Sequence, residues 1–106
     1  MNVLRIKKRF IPMSETMFYI LFSLRQERHG YGIMLHVKQL TGSRIILGAG
    51  TIYQSLAKLE HDGLIKATQE IDRKRNYLIT SIGDEILREE ARRIYDLYAI
   101  AKELLK

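Results

Sequence analysis

The stretch GAGTIYQSLAKLEHDGLI at residues 48–65 decides the fold of this chain. It predicts a turn, a short helix with Thr51 as a candidate cap, a helix end at Gly63 and the start of a strand. Apolar residues recur in it at spacings of i, i+4 and i+7, which is the pattern of a helix with one face turned toward a core. That apolar face consists of Ile52, Leu56 and Leu59.

The opposite face of this helix is small, polar and cationic. A short helix with an apolar back and such a front suits insertion into the major groove of DNA. An ordinary surface helix has the same pattern, so this segment alone does not separate the two interpretations. The candidate groove-facing residues are Thr51, Gln54, Ser55 and Lys58.

Strand-favouring residues follow in two runs, at 64–71 and 77–80, separated by a polar break. The break carries Arg73, Lys74 and Arg75 in succession, so the pattern predicts a hairpin with a cationic tip. A charge run alone is usually a solvated loop. Beside a helix with a polar front, however, a cationic hairpin predicts a winged helix-turn-helix, a mainly α fold with a small β-wing.

Length and charge limit the remaining possibilities. The chain has 106 residues, which predicts one domain, and a formal net charge of +6, which favours a polyanionic partner. Four positive charges lie near the start of the chain, which leaves +2 for the rest, so the charge that matters must be local. They are carried by Arg5, Lys7, Lys8 and Arg9.

Two further features of composition bear on location. The chain has no cysteine, which fits a reducing compartment, and no apolar run of the roughly 18 residues that cross a membrane. We therefore expect a cytoplasmic protein without a membrane partner.

The sequence offers neither a metal site nor a catalytic motif. Its three histidines have neither metal-ligand spacing nor a cysteine partner, and no motif for a nucleophile is present. We expect no metal, no cofactor and no catalytic residue.

The first half of the chain is predicted to be helical after a basic arm. The arm covers 1–12, and it is either a disordered terminus or a segment that contacts phosphates or the minor groove. A first helix is expected over 14–27 with Ser14 as its cap, and a second over 31–40. The short β-branched segment at 44–47 is predicted as a third strand of the wing sheet.

The last segment predicts one long helix, from a cap at Thr80 or Ser81 to Leu105. A helix of about 25 residues is about 37 Å long, which exceeds what a small domain needs to cover its own core. Apolar residues in it are spaced 4, 3, 4, 3 and 4 apart, as in the seam of a coiled coil. We therefore expect dimerisation, the alternative being a helix that packs only on its own domain. The seam consists of Leu87, Ala91, Ile94, Tyr98, Ala101 and Leu105.

These motifs together resemble the PadR family of transcriptional regulators. The resemblance rests on HGYG at 29–32, the block at 48–65, the basic hairpin that ends in YLIT at 77–80, and Gly83. It covers residues 13–106 and implies a winged helix DNA-binding domain at 13–80 followed by a C-terminal dimerisation helix at 81–106. It further implies repression of a nearby promoter and, in several members, release by a small apolar or phenolic ligand.

The resemblance also implies where DNA is bound. It places Thr51, Tyr53, Gln54 and Lys58 on the recognition helix of the family, and it places Arg73, Lys74 and Arg75 on its wing. Tyr53 is either a phosphate contact or an aromatic residue at the edge of the core. His29 is expected to close the first turn of its helix with a hydrogen bond.

An effector site is the least constrained of these expectations. If there is an effector, we expect a small aromatic ligand between two subunits, where the first helix meets the last helix of the partner. The alternative is that the same aromatic side chains simply fill the dimer core. The residues concerned are Phe18, Phe22, Tyr95 and Tyr98.

Three function classes follow from the sequence. The first is a dimeric repressor that binds double-stranded DNA at a pseudo-palindromic operator. The second is a winged helix protein-interaction module without DNA binding, against which the basic tip at 73–75 argues. The third is a small hydrolase or ligand carrier, for which the sequence offers no site.

Overall fold

The computed structural model describes residues 2–106 and consists of helices around a small sheet. A hydrophobic core joins the helices, and a hairpin projects from it as a wing. The elements in chain order are α1 (Val3–Phe10), α2 (Glu15–Ser23), β1 (Arg28–His29), α3 (Gly30–Leu40), α4 (Ala49–His61), β2 (Ile65–Ile71), β3 (Lys74–Ile79), α5 (Ser81–Ala101) and a final 3-10 turn (Lys102–Leu105).

The predicted winged helix fold, with its long C-terminal helix, is confirmed. Ser14 caps α2 by accepting a hydrogen bond from the Met17 N–H, and Thr80 caps α5 in the same way through Gly83. α2 ends at Ser23, earlier than the predicted end near Glu27. Helix α5 ends at Ala101, and the chain continues to Leu105 as the tighter 3-10 turn.

The core lies between α2, α3, α4 and the first half of α5. Each helix contributes apolar side chains at helical spacing, and burying a large aliphatic side chain is worth about 1.5–3 kcal/mol relative to leaving it exposed. These residues set the positions of α4 and the wing relative to the rest of the domain. The fully buried ones include Ile20, Leu21, Leu24, Ile33, Val37, Ile52, Leu56, Leu59, Leu64 and Ile86.

The third strand of the sheet is not the predicted one. The sheet order is β1-β3-β2, and β1 pairs antiparallel with β3 through Arg28 opposite Tyr77 and His29 opposite Asn76. The segment at 44–47, predicted as the strand, is a loop held by the end of α3. The Ile45 N–H donates to Thr41 Oγ1 (3.1 Å), so a side chain satisfies a backbone group that a strand would pair in a ladder.

The basic segment at the start of the chain is a helix and not an extended arm. α1 turns Ile6 and Phe10, four residues apart, into the core of the domain. Two of its cations form ion pairs, Lys7 with Glu89 on α5 (3.0 Å) and Arg9 with Asp62 after α4 (3.0 Å). These pairs neutralise charges that the sequence assigned to a DNA-contacting or disordered arm. Residue 1 of the predicted arm lies outside the described residues.

A buried carboxylate fastens the start of α2 to α5. Glu90 is inaccessible to solvent, and its Oε2 accepts a hydrogen bond from the Met13 N–H (2.5 Å). Arg93 donates to both of its oxygens, at 2.5 and 3.0 Å. Burial alone would raise the pKa of Glu90, but the bonds from Arg93 and Met13 lower it, so the carboxylate is ionised.

The start of α5 lies against the start of β2 at very close range. The Thr80 N–H donates to the Leu64 carbonyl (2.9 Å), and Thr80 Oγ1 donates to the Gly63 carbonyl (2.6 Å). A Cβ at Gly83 would lie 2.0 Å from the Leu64 carbonyl oxygen. Only glycine therefore permits this packing of helix against strand.

None of the helices within residues 2–106 is long and apolar enough to cross a membrane.

Candidate nucleic-acid interface

Helix α4 is presented to solvent along one side. It begins at Ala49 with Gly48 as its extended N-cap residue, so Thr51 lies inside the helix and is not its cap. Gly63 has a φ of +80° and ends the helix region as predicted. Because the apolar stripe of α4 is buried in the core, its polar stripe faces outward.

The predicted groove-facing residues share this outward side. Ser55 is half-buried between the two stripes, whereas Thr51, Tyr53, Gln54 and Lys58 are exposed. The Lys58 ammonium lies 5.2 Å from the centroid of the Phe10 ring, so the α1 helix borders the C-terminal part of this surface. Tyr53 is 61% exposed, which places it on the surface and not in the core.

The wing is a tighter hairpin than the sequence predicted. Strand pairing continues to Ile71 opposite Lys74, which leaves a two-residue turn of Asp72 and Arg73. Both turn residues have positive φ values, +52° and +65°, as two-residue hairpin turns of the common type require. Lys74 and Arg75, predicted in the loop, therefore lie in β3, and only Arg73 of the three cations lies in the turn.

One cleft brings the wing and α4 together. It has a volume of about 320 Å³ and opens between the start of α3, Tyr53 of α4 and the tip of the hairpin. The three wing cations and Tyr53, which are 20 or more residues apart in sequence, thus line a common surface. The full lining is His29, Gly30, Tyr31, Tyr53, Glu70, Arg73, Lys74, Arg75 and Tyr77.

The HGYG motif explains how the cleft is built. His29 caps α3, and its Nδ1 accepts a hydrogen bond from the Gly32 N–H (3.1 Å), which confirms the predicted role of this histidine. A Cβ at Gly30 would lie 3.3 Å from two atoms of the Tyr53 ring. The small residue at this position lets the start of α3 approach Tyr53 closely. The start of α3 therefore lines the same cleft as the wing cations.

Carboxylates partly offset the charge of this surface. Arg75 lies 3.7 Å from Glu60 of α4, and its guanidinium carbon is 5.8 Å from the centroid of the Tyr77 ring. Glu70 lines the cleft as well. Arg75 is thus held toward α4, whereas Arg73 and Lys74 lie at the tip and are exposed.

The predicted dimer seam divides into two parts. Leu87 is buried in the core of its own chain and is only 4% exposed, whereas the later residues of the predicted seam are not covered by it. From Ala91 onward, the apolar residues of α5 are exposed. The large ones are Ile94, Tyr95, Leu97, Tyr98, Ile100, Leu104 and Leu105.

The four aromatic residues suggested for an effector are not gathered in one chain. Phe18 and Phe22 stack with centroids 6.2 Å apart and line a groove of about 130 Å³ beside Leu87. Tyr95 lies on a different part of α5, in a depression with Arg88 and Arg92, and Tyr98 is exposed beyond it. The depression and the groove lie next to each other, since Arg88 and Ala91 line both, but they are separate in one chain.

Two residues of this surface were missed by the sequence reasoning. Tyr31 lines the cleft beside Tyr53, and its place in the HGYG motif directly after the cap was a signal for it. Glu27 contacts the wing, and its partners lie 41 to 49 residues further along the chain, at distances that no local pattern reveals.

The family described as "Transcriptional regulator PadR-like family" matches residues 19–89, from α2 into α5. The chain belongs to this family. The match contains α3, α4 and the complete wing, which are the elements that form the cleft.

A curated protein is similar to part of this PadR-like chain. An uncharacterised 37.1 kDa protein in transposon TN4556 of Streptomyces fradiae is 40% identical over 63 residues, which are 59% of this chain. The match covers 18% of that protein, so this chain corresponds to a small part of its relative's length.

Two solved structures show the same fold. The structure of a transcriptional regulator from Clostridium thermocellum superposes with a TM-score of 0.73 at 22% identity, covering 89% of this chain and 99% of that one. Bacillus subtilis PadR, solved in complex with operator DNA, has a TM-score of 0.64 at 28% identity. That match covers 72% of this PadR-like chain and 46% of the Bacillus protein.

Proposed function

We propose that this PadR-like protein is a sequence-specific DNA-binding regulator that represses transcription as a cytoplasmic homodimer on a pseudo-palindromic operator. The observation that carries the proposal is the cleft that joins Tyr53 of α4 to the three cations of the wing. It continues the exposed polar side of α4. One surface therefore offers both a helix for the major groove and cations for the adjacent backbone.

The proposal assigns different tasks to the two elements. Gln54 and Ser55 approach base edges from α4, where an amide side chain can pair with adenine in two hydrogen bonds. Arg73, Lys74 and Arg75 meet phosphates or the minor groove, and the Tyr53 hydroxyl donates a hydrogen bond to a phosphate oxygen. Thr51 and Lys58 contact the backbone at the two ends of the α4 surface. Base contacts would carry specificity, and phosphate contacts would carry most of the affinity.

Two alanine variants distinguish contacts with bases from contacts with phosphates. Lys74→Ala should weaken binding to all duplexes alike and reduce the slope of log affinity against log salt by about 0.9 for one lost phosphate contact. Gln54→Ala should cost about 1–3 kcal/mol on the operator only. Both affinities are measured by filter binding on random duplex DNA and on the site found by footprinting the DNA that flanks the gene.

Two outcomes would contradict this proposal. Equal losses on operator and random DNA for Gln54→Ala would show that α4 presents a different reading face. A wild-type protein that binds neither duplex would identify the chain as an interaction module that kept the fold without binding DNA.

The effector is a separate part of the proposal. A small aromatic ligand between subunits, against Phe18, Phe22, Tyr95 and Tyr98, would release DNA only by binding the DNA-incompetent dimer more tightly. Titration of phenolic acids and planar apolar dyes should then show saturable binding to the free protein and reduced operator affinity. If neither is seen, these aromatic residues fill the dimer core, and repression depends on the abundance of the protein or on another partner.

A further inference from the structure

The wing contains a β-bulge between its base and its tip. β2 and β3 pair in regular register up to Ala67 opposite Tyr77, and again from Glu70 opposite Arg75. Between these pairs, two residues of β2, Thr68 and Gln69, face the single residue Asn76 of β3. Such a bulge bends a hairpin and increases its twist. The bulge therefore sets the direction in which the half with Arg73 and Lys74 points.

One carboxylate oxygen accepts hydrogen bonds from all three side chains of this bulge. Glu27 lies in the loop between α2 and β1, and its Oε2 accepts hydrogen bonds from Thr68 Oγ1 (2.6 Å), Gln69 Nε2 (2.9 Å) and Asn76 Nδ2 (3.3 Å). These bonds, from Thr68 first, lower the pKa of Glu27, so it is ionised at neutral pH. A charged acceptor makes stronger hydrogen bonds than a neutral one.

We propose that Glu27 is a positioning residue for DNA binding, which holds the wing at the bulge so that its cationic tip faces the same duplex as α4. The inference rests on the proposed function. Its physical basis is that the loop after α2 is anchored to the core through Leu24, which is fully buried, so Glu27 ties the bend of the wing to a fixed part of the domain.

Loss of the Glu27 carboxylate has two expected effects on DNA binding. Removal of a carboxylate raises the net charge of the protein by one, which by long-range electrostatics alone should strengthen DNA binding. If Glu27 positions the wing, loss of its acceptor oxygen should weaken binding instead. The two effects have opposite signs.

The experiment compares Glu27→Ala with Glu27→Gln in the full chain. Both remove the same charge, but glutamine retains an oxygen that can accept the three bonds that converge on Oε2. We expect Glu27→Ala to bind DNA roughly three- to tenfold more weakly, with a reduced salt slope because phosphate contacts at the tip are lost. Glu27→Gln should bind DNA more tightly than Glu27→Ala and should regain most of the lost affinity.

A double-mutant cycle tests whether Glu27 acts through the wing. In the Lys74→Ala background, Glu27→Ala should cost clearly less affinity than in the wild type, because the contact that it positions is already missing. In the Gln54→Ala background, its cost should be unchanged. Equal costs in both backgrounds, or identical behaviour of Glu27→Ala and Glu27→Gln, would overturn the inference.

Hydrogen exchange of the free protein separates this inference from the proposed function. In Glu27→Ala, backbone amides of the wing at 66–76 should exchange faster, whereas those of α4 should not. Unchanged exchange of the wing overturns the positioning role even if DNA is bound. Faster exchange with a wild type that binds no DNA would refute the proposed function while showing that Glu27 orders the hairpin.

Discussion

Replacing Gly83 with alanine is expected to destabilise the protein by about 3 kcal/mol, at the upper end of what overpacking a core costs. The added Cβ would lie 2.0 Å from the Leu64 carbonyl oxygen and 2.8 Å from a side-chain carbon of Ile79. Backbone cannot yield as a flexible side chain can, so α5 must move off the sheet. The loss should appear as a lower urea midpoint, with an unchanged slope if unfolding remains two-state.

Gly50→Ala is the matched control for this prediction. Gly50 lies in the first turn of α4, and a Cβ there has no heavy atom within 4 Å. Alanine is favoured over glycine in a helix, so this variant should gain up to about 1 kcal/mol of stability. A Gly83→Ala protein that unfolds at the same urea concentration as the wild type would disprove the close packing of α5 on β2.

The second large effect is expected from Ile94→Asp in the exposed part of α5. In a symmetric dimer this change brings two carboxylates into an apolar interface, where unpaired charges are strongly unfavourable. The protein should sediment as a monomer at micromolar concentration. Because a dimer binds two half-sites at once, operator affinity should fall by roughly 10²–10⁴-fold.

Arg92→Asp introduces the same side chain on the opposite side of the helix, and we expect it to remain dimeric. Circular dichroism must show that both variants are folded, since Ile94 lines a groove of the domain together with Met13 and Phe18. Tyr98→Asp, beyond the body of the domain, provides a second test without that complication. Sedimentation of the wild type as a monomer at high concentration would exclude the proposed assembly.

Residues with a local signal were predicted well. The spacing of Ile52, Leu56 and Leu59 is enough to orient α4, because periodic burial is a property of the segment itself. The caps Ser14 and Thr80 are equally local, since each satisfies an N–H three residues away. The same physics explains why the fold and the polar side of α4 followed from the sequence.

Features that depend on distant contacts were missed. The turn at Asp72 and Arg73 has two positive φ values without a glycine, so the local sequence did not predict a two-residue hairpin turn. α1 has a readable apolar pair in Ile6 and Phe10, but the basic residues between them suggested an arm. Whether those cations are free or paired depends on Glu89 and Asp62, which are far away in sequence.

The attachment of α5 to the domain has a mechanical consequence. Gly83, the ion pair between Lys7 and Glu89, and the bonds of Glu90 clamp the first part of the helix, so the exposed part continues it as a stiff lever. At 1.5 Å per residue the 21 residues of the whole α5 helix span about 31 Å, so in the proposed dimer a rotation of 10° about a crossing at the end of α5 would displace the start of the helix, next to the wing, by about 5 Å. That exceeds the rise of one base pair, so in such a dimer small changes at the crossing would be amplified into different spacings between half-sites.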